Sequence, residues 1–113
     1  MPAGQWDPVI DQGADWSVTV SWFDEAGAPV TAQAPCYMQL RDAAGAAAAT
    51  LTTENGGITI SAGQLLLTLD AAATGALAAS WFDHDLFVTD PGGHLVRLLA
   101  GLARVAARVS TPT

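Results

Sequence analysis

Lysine is absent from this 113-residue chain, and charged residues of both signs make up only 13% of it. The basic side chains are four arginines, against eleven acidic residues, so the formal net charge is −7. An acidic chain without a basic cluster is a poor binder of phosphate backbones and of anionic lipids. We therefore expect neither nucleic acid nor a membrane to be a partner.

Cysteine is nearly absent too. Cys36 is the single thiol, so the chain cannot form an internal disulfide or a cysteine-based zinc site. No uncharged apolar run reaches the roughly 18 residues that a membrane helix needs, and the N-terminus shows no basic segment followed by an apolar one. These absences predict synthesis in the cytoplasm and a fold that depends on its hydrophobic core.

Apolar and polar residues alternate in several short segments. In residues 15–23, the positions that share one face are Trp16, Val18, Val20 and Trp22. Successive side chains of a strand point to opposite faces, so this pattern predicts a half-buried strand. Alternation, β-propensity and flanking turn residues predict further strands over 36–41, 47–53, 58–60, 65–69, 81–89 and 94–100. Asp70 is a candidate N-cap for a helix of one or two turns within 71–79.

The C-terminal segment, 95–109, admits two interpretations. Arg97, Arg104 and Arg108 would lie near one face of an amphipathic helix. Gly101 weakens a helix by about 1 kcal/mol relative to alanine, and residues 102–109 alternate. We therefore favour two strands interrupted at Gly101.

Seven or eight short strands, with a turn about every ten residues, are typical of an all-β sandwich or barrel. The prediction is a single-domain antiparallel β-sandwich, Ig-like or jelly-roll-like, with one short helical turn. The sandwich is expected to span 11–110. Residues 1–10, rich in proline and glycine, are expected to form an extended N-terminal arm.

No catalytic, cofactor or metal site is predicted. In the segment Asp83-His84-Asp85, alternation places His84 on the face opposite both carboxylates, so the three cannot converge on one metal ion. Cys36 falls on an apolar strand face, where it is expected to be a small core residue. No serine lies in a Gly-x-Ser-x-Gly motif. We expect a protein that is not an enzyme.

Tryptophan is the informative residue type, with four copies. Trp16 and Trp22 are expected in the core. Trp6 and Trp81 lie near the ends of predicted elements, where they either fill the core or contact a partner, and aromatic side chains of this kind are enriched in interface hot spots. They are the two residues predicted to form an interface.

The order of the turn and strand segments carries a resemblance. The segments are DQGADW at 11–16, WFDEAGAPV at 22–30, MQLR at 38–41, LTTENGGI at 51–58, DLFVTDPGG at 85–93 and VRLLAG at 96–101. Over about residues 9–109, this order resembles a family of small accessory virion proteins of tailed bacteriophages and prophages. Residues 103–107 depart from that pattern, because they are richer in alanine and arginine than a typical closing strand.

The resemblance implies a structural role in a virion. Small β-sandwich proteins of epsilon15-like podophages act as cement on the capsid exterior, and similar sandwiches serve as tail, baseplate or tail-fibre adaptors. The implied function is a capsid cement or decoration protein that staples neighbouring major capsid proteins, and the alternative is an adaptor module. A homodimer is expected, because twofold assemblies are the commonest. Deleting residues 2–9 is expected to weaken capsid attachment while leaving the sandwich folded.

Overall fold

The structure is a computed structural model that describes residues 4–110. It contains nine strands and one short helix within that range. In chain order these elements are β1 (Gly4–Gln5), β2 (Val9–Asp11), β3 (Trp16–Ser21), β4 (Gln33–Arg41), β5 (Ala47–Thr52), β6 (Ile58–Ser61), β7 (Gln64–Leu69), α1 (Ala71–Gly75), β8 (Trp81–Thr89) and β9 (Leu95–Ala106).

The strands form two packed sheets, which confirms the predicted β-sandwich. The six-stranded sheet has the order β1-β9-β8-β4-β5, with β2 also paired to β9, and the three-stranded sheet has the order β3-β7-β6. The alternation predicted for 15–23 is present, since Trp16 is buried and Val18, Val20 and Trp22 pack against the core. Leu40, Leu51, Leu67 and Leu86 are among the core residues that have no exposed surface.

The prediction of a purely antiparallel sandwich needs one correction. β1 and β2 run parallel to β9, so the six-stranded sheet is mixed. A hairpin forces neighbouring strands to be antiparallel, but β1 and β2 reach β9 from the far end of the chain and no short turn sets their direction. All the other strand pairs are antiparallel.

The predicted break at Gly101 is wrong, because β9 is one continuous strand from Leu95 to Ala106. Gly101 lies opposite His84 in the ladder, underneath residues 5–7. A Cβ at this position would overlap the carbonyl oxygen of Trp6 and would lie 2.5 Å from Oδ1 of Asp7. The glycine therefore makes room for the N-terminal segment without ending the strand.

The segment predicted as an arm is extended and lies along β9. Residues 4–5 pair with 99–100, and residues 9–11 pair with 104–106. Between them the backbone leaves the ladder, and the N–H of Leu102 donates to Oδ1 of Asp7 at 2.9 Å instead of to a backbone carbonyl. Residues 1–3 lie outside the described residues.

The helix predicted after Asp70 is present as the five residues of α1. The Asp70 side chain accepts a hydrogen bond from the N–H of Ala73 at 2.8 Å, so it is the predicted N-cap. Within residues 4–110, no helix is long and apolar enough to cross a membrane.

Candidate functional site

Trp81 is the first residue of β8, and 58% of its surface is exposed. It lies directly opposite Arg104 of β9, which in turn lies opposite Val9 of β2. Residues paired in this way have their side chains on the same face of a sheet. The three side chains therefore form one row on the outer face of the six-stranded sheet.

Leu102 extends this row, because it lies two residues from Arg104 on β9 and shares its face. Val9 is 53% exposed and Leu102 is 45% exposed. We call the surface formed by Val9, Trp81, Leu102 and Arg104 the Trp81 patch. It combines three exposed apolar side chains with one guanidinium, and tryptophan and arginine are among the residue types enriched at protein interfaces.

Trp6 has a different environment from Trp81. Its ring stacks on that of Trp16, with 6.3 Å between centroids, and meets the ring of His84 edge-on at 5.5 Å. Trp16 belongs to the three-stranded sheet and His84 to the six-stranded sheet, so Trp6 packs between the two. Of the two tryptophans predicted to contact a partner, Trp81 is more than half exposed and Trp6 is partly buried within the fold.

His84 fixes the backbone of Trp6. The Nε2–H of His84 donates to the carbonyl oxygen of Trp6 at 2.6 Å, which requires the proton to be on Nε2 because a carbonyl can only accept. His84 is buried, and its Nδ1 has no hydrogen-bond partner among the described residues. The imidazole is therefore a structural contact between β8 and the N-terminal segment.

Asp83 and Asp85 lie on the outer face, opposite to His84, as the alternation predicts. Within residues 4–110, no group of three or more His, Cys, Asp or Glu side chains is placed to hold a metal ion. His94 is far from this segment in the fold. Its ring lies 3.4 Å from Oδ1 of Asp90 in the turn before β9, and 80% of its side chain is exposed.

Among residues 4–110, three titratable groups have pKa values that depart from their ordinary values. The pKa of Asp7 is lowered, mainly by the hydrogen bond from the N–H of Leu102 and then by that from the side chain of Gln5. The pKa of Asp90 is lowered, mainly by the hydrogen bond from the N–H of His94. Burial raises the pKa of the Cys36 thiol, which makes it a poor nucleophile.

The rest of the outer face of the six-stranded sheet carries charges of both signs and one aromatic pair. Tyr37 and Phe87 stack on it with centroids 5.2 Å apart. The guanidinium of Arg41 donates to Oε1 of Gln39 at 2.6 Å and to the carbonyl of Gly45 at 2.7 Å. Because its basic and acidic groups are interspersed, this face has no concentration of charge that would select a charged ligand.

Among the residues that the structure describes, no charged side chain lies on the outer face of the three-stranded sheet. Its residues are Ser17, Thr19 and Ser21 of β3, Gln64, Leu66 and Thr68 of β7, and Thr59 and Ser61 of β6. The acidic residues are placed elsewhere, although the chain has eleven of them. The two outer faces of the sandwich therefore differ in chemistry.

Val9, Leu102 and Arg104 were not among the residues predicted to contact a partner. The pairing of Trp81 with Arg104 follows from the β8–β9 hairpin, but a register shift between Leu86 and Phe87 prevents a simple count back from the turn. The position of Val9 depends on the pairing of β2 with β9, for which the sequence carries no local signal.

The chain matches no protein-family model and no curated protein sequence.

Proposed function

We propose that this protein is a structural component of a bacteriophage virion, a capsid cement or decoration protein that binds the outer shell and staples neighbouring major capsid proteins. It would be synthesised in the bacterial cytoplasm and would need no cofactor, because its task is attachment and not a reaction. The resemblance in the order of its turns and strands supports this proposal. So does one structural observation, the Trp81 patch.

The Trp81 patch suits attachment to another protein. Trp81 is the largest of its side chains, and it lies on a strand that pairs with β9 at Trp81 itself and with β4 from Asp83 onward. A tryptophan presented on a rigid element loses little conformational entropy when it enters a partner's pocket. Aromatic and arginine side chains are also the residue types that dominate binding energies at interfaces.

Weak contacts are sufficient for this role. A decoration protein is present in many copies on a regular lattice, and a dimer would engage two lattice positions at once. The second attachment is then intramolecular and gains from a high effective concentration. A few exposed side chains on each copy can therefore produce firm attachment.

The test compares two exposed apolar residues of the six-stranded sheet. Purified protein is sedimented with empty shells assembled from the major capsid protein of the phage that encodes this chain. Trp81→Ala is expected to weaken binding by at least about tenfold, the effect of losing a hot-spot side chain. Leu95→Ala is the control, because Leu95 is 52% exposed at the start of β9 but lies outside the Trp81 patch. The proposal fails if the unaltered protein stays in the supernatant, or if Trp81→Ala binds like Leu95→Ala.

The same material tests the alternative of a tail or baseplate adaptor. A cement protein is expected at a copy number close to that of the major capsid protein on a gel of purified virions. An adaptor would be present at a small fraction of that amount and would sediment with tails instead of with shells.

Point substitutions are a sharper test than deletion of residues 2–9. That deletion removes β1 and the ring of Trp6, which packs against Trp16 and His84. A loss of shell binding would then report the stability of the sandwich as well as the attachment. Trp81→Ala avoids this problem, because the side chain is more than half exposed.

A further inference from the structure

The edge of the three-stranded sheet at β3 has free backbone groups. The N–H of Trp22 donates to the carbonyl of Gly63 at 3.0 Å, which places the even-numbered residues of β3 in hydrogen bonds with β7. The backbone groups of Ser17, Thr19 and Ser21 therefore point away from the sheet. No hydrogen bond of the described residues satisfies them.

The opposite edge of this sheet, β6, is only four residues long, and the edges of the six-stranded sheet are covered in part. β1 and β2 cover the free edge of β9. On β5, the N–H of Thr52 donates to Oδ1 of Asn55 at 2.9 Å, and Nδ2 of Asn55 donates to the carbonyl of Thr50 at 2.9 Å. The Asn55 side chain thus occupies the place that a neighbouring strand would take.

β3 lacks the features that usually prevent strand pairing at an edge. Its six residues include no charged residue and no proline, and its register with β7 is regular throughout. Natural proteins commonly place lysine, proline or a bulge on an edge strand to block association. An exposed regular edge of this kind accepts another extended strand.

The sequence of this edge is self-complementary. Residues 16–22 read WSVTVSW, a palindrome centred on Thr19. In an antiparallel pair of two copies about Thr19, Trp16 would lie opposite Trp22 of the partner subunit, and Val18 opposite Val20 of the partner subunit. Pairs of aromatic, β-branched and hydroxyl side chains are the favourable cross-strand combinations.

The partial exposure of side chains along β3 also favours a second β3 as the strand that pairs with this edge. Val18, Val20 and Trp22 pack against the core yet remain partly exposed, because β3 is the last strand of its sheet. A second β3 would lie beside these side chains and reduce their exposed surface. The outer face of the three-stranded sheet adds no charge to this contact, so the nearest acidic groups in sequence are Asp15 and Asp24 beyond the ends of the palindrome.

We propose that the protein forms a symmetric homodimer in which β3 pairs with β3 of a second copy, antiparallel about Thr19, so that the two three-stranded sheets become one continuous sheet. About six backbone hydrogen bonds would join the copies. This names the interface of the homodimer expected of a cement protein, and in that respect rests on the proposed function. Its tests use purified protein without shells, so the two proposals can fail separately.

The first test is a cysteine cross-link. The two copies of Thr19 would face each other as a hydrogen-bonded pair, with Cα atoms about 5.5 Å apart, within the range that a disulfide spans. Thr19→Cys is therefore expected to form a covalent dimer under mild oxidation. Thr59→Cys is the matched control, since Thr59 is exposed on the same face but on the far strand β6. Cys36 is buried and stays unreactive in the folded protein.

A covalent dimer of Thr19→Cys that forms much faster than that of Thr59→Cys supports the proposal. Equal rates for the two variants, or a Thr19→Cys protein that stays monomeric, overturn it.

The second test is the dimer's dissociation constant by analytical ultracentrifugation. Thr19→Pro removes an N–H that has no partner within the described residues, and proline is tolerated at strand edges. The variant is expected to keep the circular dichroism spectrum of the fold and to dissociate at least about tenfold more readily, because two hydrogen bonds per dimer are lost.

Raising the salt concentration is expected to strengthen the unaltered dimer. Asp15 and Asp24 lie just outside the two ends of the palindrome, and salt screens the repulsion between these carboxylates of the two copies.

This second test has its own contrary outcomes. An unaltered protein that stays monomeric at high micromolar concentration overturns the proposal, and so does a folded Thr19→Pro variant that dimerises as well as the parent. Shell binding by a monomer would leave the cement proposal standing while this one fails.

Discussion

Gly101 shows how one residue without a side chain determines the packing of several others. Its missing Cβ leaves space for the carbonyl of Trp6, which accepts a hydrogen bond from His84. The same crossing brings Asp7 to the N–H of Leu102, so the ladder on β9 is completed by a carboxylate where the backbone of β1 and β2 is interrupted. The backbone atoms of residues 6 and 101 cannot rotate out of this close contact as a flexible side chain could, so a larger residue at position 101 would force the chain to shift.

We predict that Gly101→Ala lowers the free energy of unfolding by about 2 kcal/mol, as overpacking of a well-packed site does. Urea denaturation followed by tryptophan fluorescence measures this change. Gly92→Ala is the control, because its Cβ would meet the His94 ring at 3.2 Å and that side chain is 80% exposed and free to move. Equal losses in both variants would contradict the steric explanation.

At the scale of elements, α1 is too short to be stable by itself, because isolated helices need about 12 residues or more. It is held by Thr74, which is fully buried. The hydroxyl of Thr74 donates to the carbonyl of Ala14 at 2.7 Å and accepts from the N–H of Gly13 at 3.0 Å. One side chain therefore satisfies two backbone groups of the loop before β3 and fixes where that edge strand begins.

We predict that Thr74→Val destabilises the protein by about 2 kcal/mol, because both backbone groups lose their buried partner while the shape is kept. Thr74→Ser keeps the hydroxyl and removes one methyl group, so about 1 kcal/mol is expected. Thermal unfolding monitored by circular dichroism compares the two variants. A Thr74→Ser protein that is the less stable of the two would show that methyl packing is more important than the hydrogen bonds.

For the whole molecule, the sandwich presents different chemistry on its two outer faces. The six-stranded sheet carries the Trp81 patch and charges of both signs, whereas the three-stranded sheet is uncharged and ends at the free edge of β3. The outer face of the six-stranded sheet suits contact with a different protein, and the edge of β3 suits contact with a second copy of this chain. In the proposed dimer the two functions use separate surfaces, so one copy can engage both partners at once.

We predict that the whole domain loses stability in acid through Asp7 and Asp90. Both pKa values are lowered in the folded protein from the ordinary 3.8. A carboxyl with a lower folded pKa stabilises the fold above its unfolded value, and this contribution is lost as the pH falls through the folded pKa. Unfolding midpoints measured between neutral pH and about pH 2 should therefore decrease below about pH 4.

The double variant Asp7→Asn with Asp90→Asn tests the assignment. It is expected to be less stable than the parent at neutral pH and to show a shallower decrease in acid. An acid profile parallel to that of the parent would mean that other carboxyl groups cause the loss.

Patterns within single segments were enough to predict β3 to β8, the buried face of β3 and the sandwich, because these depend on the period and type of side chains along one segment. The N-cap at Asp70 was predicted from its residue type ahead of an alanine-rich run. The sequence also contains the palindrome at 16–22. Tertiary structure decided that β1 and β2 run parallel to β9, that Gly101 lies beneath Trp6, that Trp81 is the exposed tryptophan, and that β3 is an edge. Each of these depends on which distant segment becomes a neighbour, and the periodicity of a single strand carries no information about its neighbours.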